Sequence, residues 1–166
     1  MTAPSHKLCL LGDFGVGKTS LVARFVRSTF SERYLTTVGV KVDSKLVERG
    51  QLGPAKLVIW DIAGRDALDA LGMNYLRGAS ALLLVADGTR ESSLASALDL
   101  LMQSRSIVPR AVAAMAVNKL DLVDEWEVGP AVLMEIRRSL PVFETSALSG
   151  DGVEAAFADL AARLPA

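Results

Sequence analysis

The stretch GDFGVGKTS at residues 12–20 follows the apolar run KLCLL at 7–11 and precedes LVARFV at 21–26, and it constrains the fold more than any other feature of the chain. Gly12, Gly17, Lys18 and Thr19 satisfy G-x-x-x-x-G-K-[ST] between a strand and a helix. At that spacing the glycines let the backbone fold back, so that its N–H groups and the helix N-terminus face an anion. Lys18 then reaches β- and γ-phosphates, and the Thr19 hydroxyl is offered to Mg²⁺. A ligand-free glycine-rich turn explains the glycines but leaves the Lys-Thr pair unexplained. Asp13, Phe14, Gly15, Val16 and Ser20 complete the candidate phosphate-binding set.

Such a loop needs a sheet behind it. Apolar runs of strand length recur at 7–11, 56–62 (KLVIWDI), 81–87 (ALLLVAD), 111–117 (AVAAMAV) and 141–146 (PVFETS), and read as strands buried on both faces. Helical spacing fills residues 19–28, 67–76, 92–106, 127–139 and 153–164. This alternation predicts a doubly wound α/β sheet whose ligand lies beyond the carboxyl ends of the strands. Residues 38–62, with Val38, Val40 and Val42 alternating before a Gly/Pro turn at 50–54, predict an antiparallel hairpin at the sheet edge.

The chain is 166 residues long and about half apolar, which suits one domain over 1–166. A formal net charge of -1, spread along the chain, argues against nucleic acid as a partner. Cys9, the single cysteine, reads as a small core residue compatible with a reducing compartment. No apolar run is long enough to span a membrane, and neither MTAP nor LAARLPA carries a lipidation signal. The expectation is a cytoplasmic protein with no intrinsic membrane anchor; excision from a longer multidomain protein stays open.

The phosphate loop does not choose a base. Asn118, Lys119 and Asp121, in NKLD directly after the strand at 111–117, make that choice. The Asp121 carboxylate can accept from both the ring N–H and the amino group of guanine, a donor pair adenine lacks. Sites built on such pairing discriminate by about 10⁴–10⁵. Leu122 stands beside it, and ETSALSG at 144–150 adds Ser146, Ala147 and Leu148, with the Ala147 amide near the guanine carbonyl. Taken alone, Thr and Ser after a strand also mark an ordinary turn.

Through GDFGVGKTS, TTVG, WDIAG, YLRGASALLLVADGT, VNKLD and ETSAL, in that order over nearly its whole length, the sequence resembles the Ras-superfamily small GTPases, most of all the Rab type. The resemblance implies a six-stranded, mostly parallel sheet with one antiparallel edge strand and helices on both faces. It also implies GTP/GDP and Mg²⁺ as ligands, a protein effector, and a regulatory exchange or activating protein. Switch segments are implied at about 31–41 and 63–76.

Position by position, Phe30 resembles the aromatic against guanine and Tyr34 the one covering the phosphates. Simple packing at a helix end is the alternative for both. Thr37 resembles the switch threonine on Mg²⁺ and γ-phosphate, Asp61 the carboxylate holding Mg²⁺ through water, and Gly64 the amide donor to the γ-phosphate. The implied metal set is Thr19, Thr37 and Asp61, and the implied catalytic positions are Lys18, Thr37, Gly64 and Arg65.

Two departures stand out. Phe14 replaces a small residue of the loop, and Arg65 replaces the glutamine that orients the attacking water. A guanidinium has no acceptor for a water proton, so hydrolysis is expected to be slow. Arg65 extending into solvent or pairing with Asp69, and Phe14 packing on the second switch, are the structural alternatives.

The expected function is therefore a Mg²⁺-dependent GTP-binding switch. Its rivals are a protein that holds GTP or GDP without cycling, and a P-loop kinase or ATPase. Trp60 reads as packing in the hairpin, Trp126 as a helix start, Met102, Met115 and Met134 as core, and His6 as preceding the first strand. Asp99, Glu125, Glu127, Arg137 and Arg138 read as solvated faces.

Overall fold

Strands β1 (Ser5–Leu11), β2 (Val40–Val47), β3 (Ala55–Ile62), β4 (Ala81–Asp87), β5 (Val112–Asn118) and β6 (Val142–Glu144) form one sheet in the order β2-β3-β1-β4-β5-β6. The computed structural model describes residues 2–27, 40–62 and 74–166. Phe30, Tyr34, Thr37, Gly64 and Arg65, with most of both expected switch segments, lie outside the described residues.

The sheet follows the hydropathy pattern. ALLLVAD in β4 is buried at all seven positions, as a central parallel strand requires. In β2 the sequence VKVDSKLV alternates, and the strand lies at the edge, antiparallel to β3 from Val40 opposite Ile62 to Val47 opposite Ala55. The other strands run parallel. The hairpin turns through the 3₁₀ segment Gly50–Leu52, where Gly50 and Gly53 take φ of 59° and 74°.

Helices α1 (Lys18–Arg27), α2 (Glu91–Ser104), α3 (Pro130–Arg137) and α4 (Val153–Arg163) cover both faces. Because side chains alternate along a strand, Leu82 and Leu84 of β4 join one core with Leu94, Leu100, Leu133 and Ile136. Leu83 and Val85 join the other, with Leu21, Phe25, Phe157 and Leu160. In that second core Phe25 and Phe157 stack at 4.0 Å between centroids with rings 1° from parallel, locking α1 to α4. Truncating either ring to Ala is worth about 3–5 kcal/mol. No helix among the described residues is long and apolar enough to cross a membrane.

Several local readings are corrected. His6 lies inside β1 and is buried, because β1 begins at Ser5 and pairs His6 with Leu57 of β3. Met115 is core, but Met102 and Met134 are 73% and 67% exposed on the outer faces of α2 and α3. Helix α3 starts at Pro130 and not at Glu127, since Glu127 and Val128 donate their N–H groups to Gly88 O at 2.9 and 3.2 Å. Proline at the helix start gives up no bond there. Trp126 begins no helix: it ends the 3₁₀ segment Leu120–Glu125.

Parallel strands deliver their carboxyl ends to one side of the sheet. Leu11, Ile62, Asp87, Asn118 and Glu144 therefore bring the loops that follow them together, with Asp87 and Asn118 directly paired.

Candidate functional site

Between β1 and α1 the chain turns tightly over the end of the sheet. A Cβ at Gly12 would stand 2.3 Å from Val85 O, and one at Gly17 2.3 Å from the Asn118 side-chain nitrogen, so both positions admit only hydrogen. Gly15 and Gly17 also take φ of 79° and 102°, where other residues are strained. The Lys18 ammonium folds back over the loop, donating to Gly12 O at 2.8 Å and Asp13 O at 3.2 Å. It is buried, and burial lowers its pKa against the opposing pull of Asp61 and Asp13. A desolvated cation on this loop, at the N-terminus of α1, fits a bound polyanion. Val16 is buried beneath the loop, Ser20 is half-buried on α1, and Phe14 is 62% exposed at the tip.

At the second residue of α1, the Thr19 hydroxyl donates to the Asp61 carboxylate near the end of β3. Burial pushes the Asp61 carboxyl above its ordinary pKa, while Thr19 and Lys18 pull it down. Two hard oxygens meet here beside the phosphate loop. Among the described residues no cluster of three His, Cys, Asp or Glu side chains exists. The pair fits Mg²⁺, which takes one or two carboxylates and completes its shell with water and phosphate oxygens. Thr37, the third expected ligand, lies outside the described residues.

The third part is a pocket lined by Gly17, Ser20, Asn118, Lys119, Asp121, Leu122, Ala147 and Leu148. These residues come from three separate stretches of the chain. Leu122 and Leu148 are exposed apolar walls, 40% and 46% accessible. Asp121 is oriented by Ser146, whose hydroxyl donates to its Oδ1 at 2.7 Å. Lys119 takes φ of 73°, the one left-handed non-glycine among the described residues. Its ammonium reaches buried Asp87 at 2.8 Å.

Asn118 lines the pocket from its buried side, with its amide bonded within the protein. Its amide nitrogen donates to Val16 O at 3.0 Å, and its Oδ1 accepts from Thr145 Oγ1 at 3.1 Å and the Ala147 N–H at 3.3 Å. The Ala147 amide, expected to approach the ligand, thus also supports Asn118.

Two supporting residues escaped the sequence reading. Trp126 donates its indole N–H to Lys119 O at 2.8 Å, and a Cβ at Gly88 would stand 2.1 Å from its ring. The half-buried ring braces the left-handed turn at Lys119 against Gly88. Asp87 receives Lys119, Thr89 and Arg90. A carboxylate ending the wholly apolar run ALLLVA was the available signal, since a buried charge demands partners. Nothing in the sequence around Trp126 pointed to its role.

Residues 7–166 match the family model described as the Ras family. Among curated relatives, the Ras-related protein Rab-22A of Canis lupus familiaris is 36% identical over 162 residues, covering 96% of this chain and 83% of that protein. The Ras-related protein Rab5 of Nicotiana tabacum is 39% identical over 162 residues, covering 96% and 80%. The GTP-binding protein ypt5 of Schizosaccharomyces pombe is 34% identical over 165 residues, covering 97% and 78%.

Proposed function

The chain belongs to the Ras family, whose members bind GTP or GDP with Mg²⁺, and from that premise we propose a particular division of labour within its site. The observation that carries the proposal is the Asn118 bridge from Val16 O to Thr145 and Ala147. It joins the phosphate loop to the base pocket, so the natural ligand has a polyanion at one end and a planar base at the other.

In this reading Asp13, Phe14, Gly15, Val16, Gly17 and Lys18 enclose the phosphates, with Lys18 supplying the buried charge. Thr19 and Thr37 would hold Mg²⁺ directly and Asp61 through water, and the ion would neutralise phosphate charge there. Asp121, held by Ser146, accepts from the two guanine donors, while Leu122 and Leu148 flank the ring. Phe30 packs against guanine and Tyr34 covers the phosphates, while Thr37 and Gly64 respond to the γ-phosphate and order the two switches for an effector. Hydrolysis is slow, because Arg65 cannot position water and Phe14 crowds the approach of a supplied arginine.

The test loads the protein with GTP, follows its conversion in a single turnover, and compares hydrogen exchange between GDP and a non-hydrolysable GTP analogue. The expected result is slow conversion and added protection at residues 31–41 and 63–76 in the triphosphate form. Equal protection in both states would favour the reading suggested by Phe14 and Arg65, a protein that holds its nucleotide without switching. Preference for ATP would instead favour a kinase or ATPase.

A further inference from the structure

The turn after β4 touches both halves of the site. The Asp87 side chain is 1% exposed, and its Oδ1 accepts from the Thr89 N–H at 2.9 Å and Thr89 Oγ1 at 2.7 Å. Its Oδ2 accepts from Lys119 Nζ at 2.8 Å and Arg90 Nε at 3.3 Å. Burial alone would raise this carboxyl's pKa, but the bonds from Lys119 and Thr89 overcome that and hold it below its ordinary value. A charged carboxylate at this point is thus built in.

From this anchor Arg90 reaches across 76 residues of sequence to donate its Nη2 to Phe14 O at 2.9 Å. The same nitrogen stands 3.8 Å from where a Cβ on Gly15 would lie. A planar trans peptide points its C=O and N–H in opposite directions. With the Phe14 carbonyl directed at Arg90, the Gly15 N–H points the opposite way, away from the guanidinium.

We propose that Arg90 is a positioning residue for the phosphate loop, held by Asp87, and that it aims the Gly15 N–H at the polyphosphate. Because Asp87 also holds Lys119, the same carboxylate couples the loop's tip to the base pocket. The loop is then fixed on three sides: Gly12 against Val85 O, Val16 O by Asn118, and Phe14 O by Arg90. Only the last of these ties reaches the tip. The inference rests on a nucleotide occupying this cradle, as proposed above.

The experiment uses the full chain loaded with a fluorescent GDP, with Arg90→Met and Arg90→Lys as variants. Release is timed with excess Mg²⁺, and affinity for GMP is measured by competition. Arg90→Met should release GDP about tenfold to a hundredfold faster, the scale of one charge-assisted hydrogen bond, with GMP affinity unchanged. Arg90→Lys, which keeps a donor within reach, should recover most of the difference. A loss confined to the diphosphate separates aiming at the polyphosphate from general loosening, which would weaken GMP equally.

Parental release rates in Arg90→Met, or equal losses for GDP and GMP, would overturn the inference. Failure of the parent protein to retain GDP at all would overturn the nucleotide reading instead, so the two failures are told apart by the parent's own trace.

Discussion

The Asn118 side-chain amide donates to Val16 O at 3.0 Å across 102 residues of sequence, and both groups are buried. That bond makes the phosphate loop and the base pocket one object. Asn118→Ala would strand Val16 O and leave Thr145 Oγ1 and the Ala147 N–H without their shared acceptor. A loss of about 2–4 kcal/mol is expected, since buried polar groups left unpaired cost about 1–3 kcal/mol each and relaxation recovers part of it. Denaturant unfolding of the loaded protein measures it, and nucleotide release should accelerate in parallel. Unchanged release would show that the loop and the pocket bind independently.

Base choice is proposed to rest on Asp121. Asp121→Asn replaces an acceptor pair with an amide that suits the 2-oxo group of xanthine, so affinity should move from GTP to XTP. Ser146→Ala removes only the hydroxyl at 2.7 Å that orients the carboxylate, and should weaken GTP about tenfold without changing base preference. Competition among GTP, XTP and ATP reads both effects. Equal affinity of the parent for ATP and GTP would contradict the assignment.

Hydrolysis should be limited jointly by Phe14 and Arg65. A supplied arginine is worth about 10³–10⁵ in kcat in phosphoryl transfer, or about 4–7 kcal/mol of barrier, and the exposed Phe14 at the loop tip is proposed to crowd its approach. Arg65→Gln alone should help little. Phe14→Gly with Arg65→Gln should accelerate single-turnover hydrolysis by more than the product of the single effects, as neighbours do when they couple. A further slowing in Arg65→Gln would identify Arg65 itself as the group that stabilises the transferring phosphoryl.

The acid limb of stability should run through His6. Burial and the Arg49 guanidinium lower its pKa below 6.5, against a bond to the Pro165 backbone that favours the proton. The unfolded chain then binds a proton near pH 6.5 that the folded chain refuses until lower pH, so stability is full above 6.5 and falls as pH drops below it. Thermal unfolding of loaded protein between pH 7.5 and 5 should show a smaller loss in His6→Gln than in the parent. Identical slopes would assign the acid limb to other groups.

Where function depended on neighbours in sequence, it was legible. The strand, the glycines, Lys18 and Thr19 are contiguous, and hard-sphere limits on a reversing backbone allow few other residues there. The parallel core was legible too, because strands buried on both faces, such as ALLLVAD, cannot hide their composition. Local periodicity failed at Met102 and Met134, where helix phase alone did not say which face the sheet would cover. It failed again at Trp126, whose partners Gly88 and Lys119 come from two different loops.

The chain's own order of residues thus determined the phosphate loop and marked Thr19, Asp61 and Asp121 as candidates for holding metal and base, since each mark needs only a local motif. The tertiary structure alone decided which groups hold these in place. Parallel pairing of β4 with β5 sets Asp87 beside Asn118, and the crossing loops bring Arg90 to Phe14, Trp126 to Lys119 and Ser146 to Asp121. Apart from the seven-residue step between Lys119 and Trp126, such bonds form between segments tens of residues apart. Their partners are fixed by strand register and by the burial of charge, neither of which any single stretch of sequence contains.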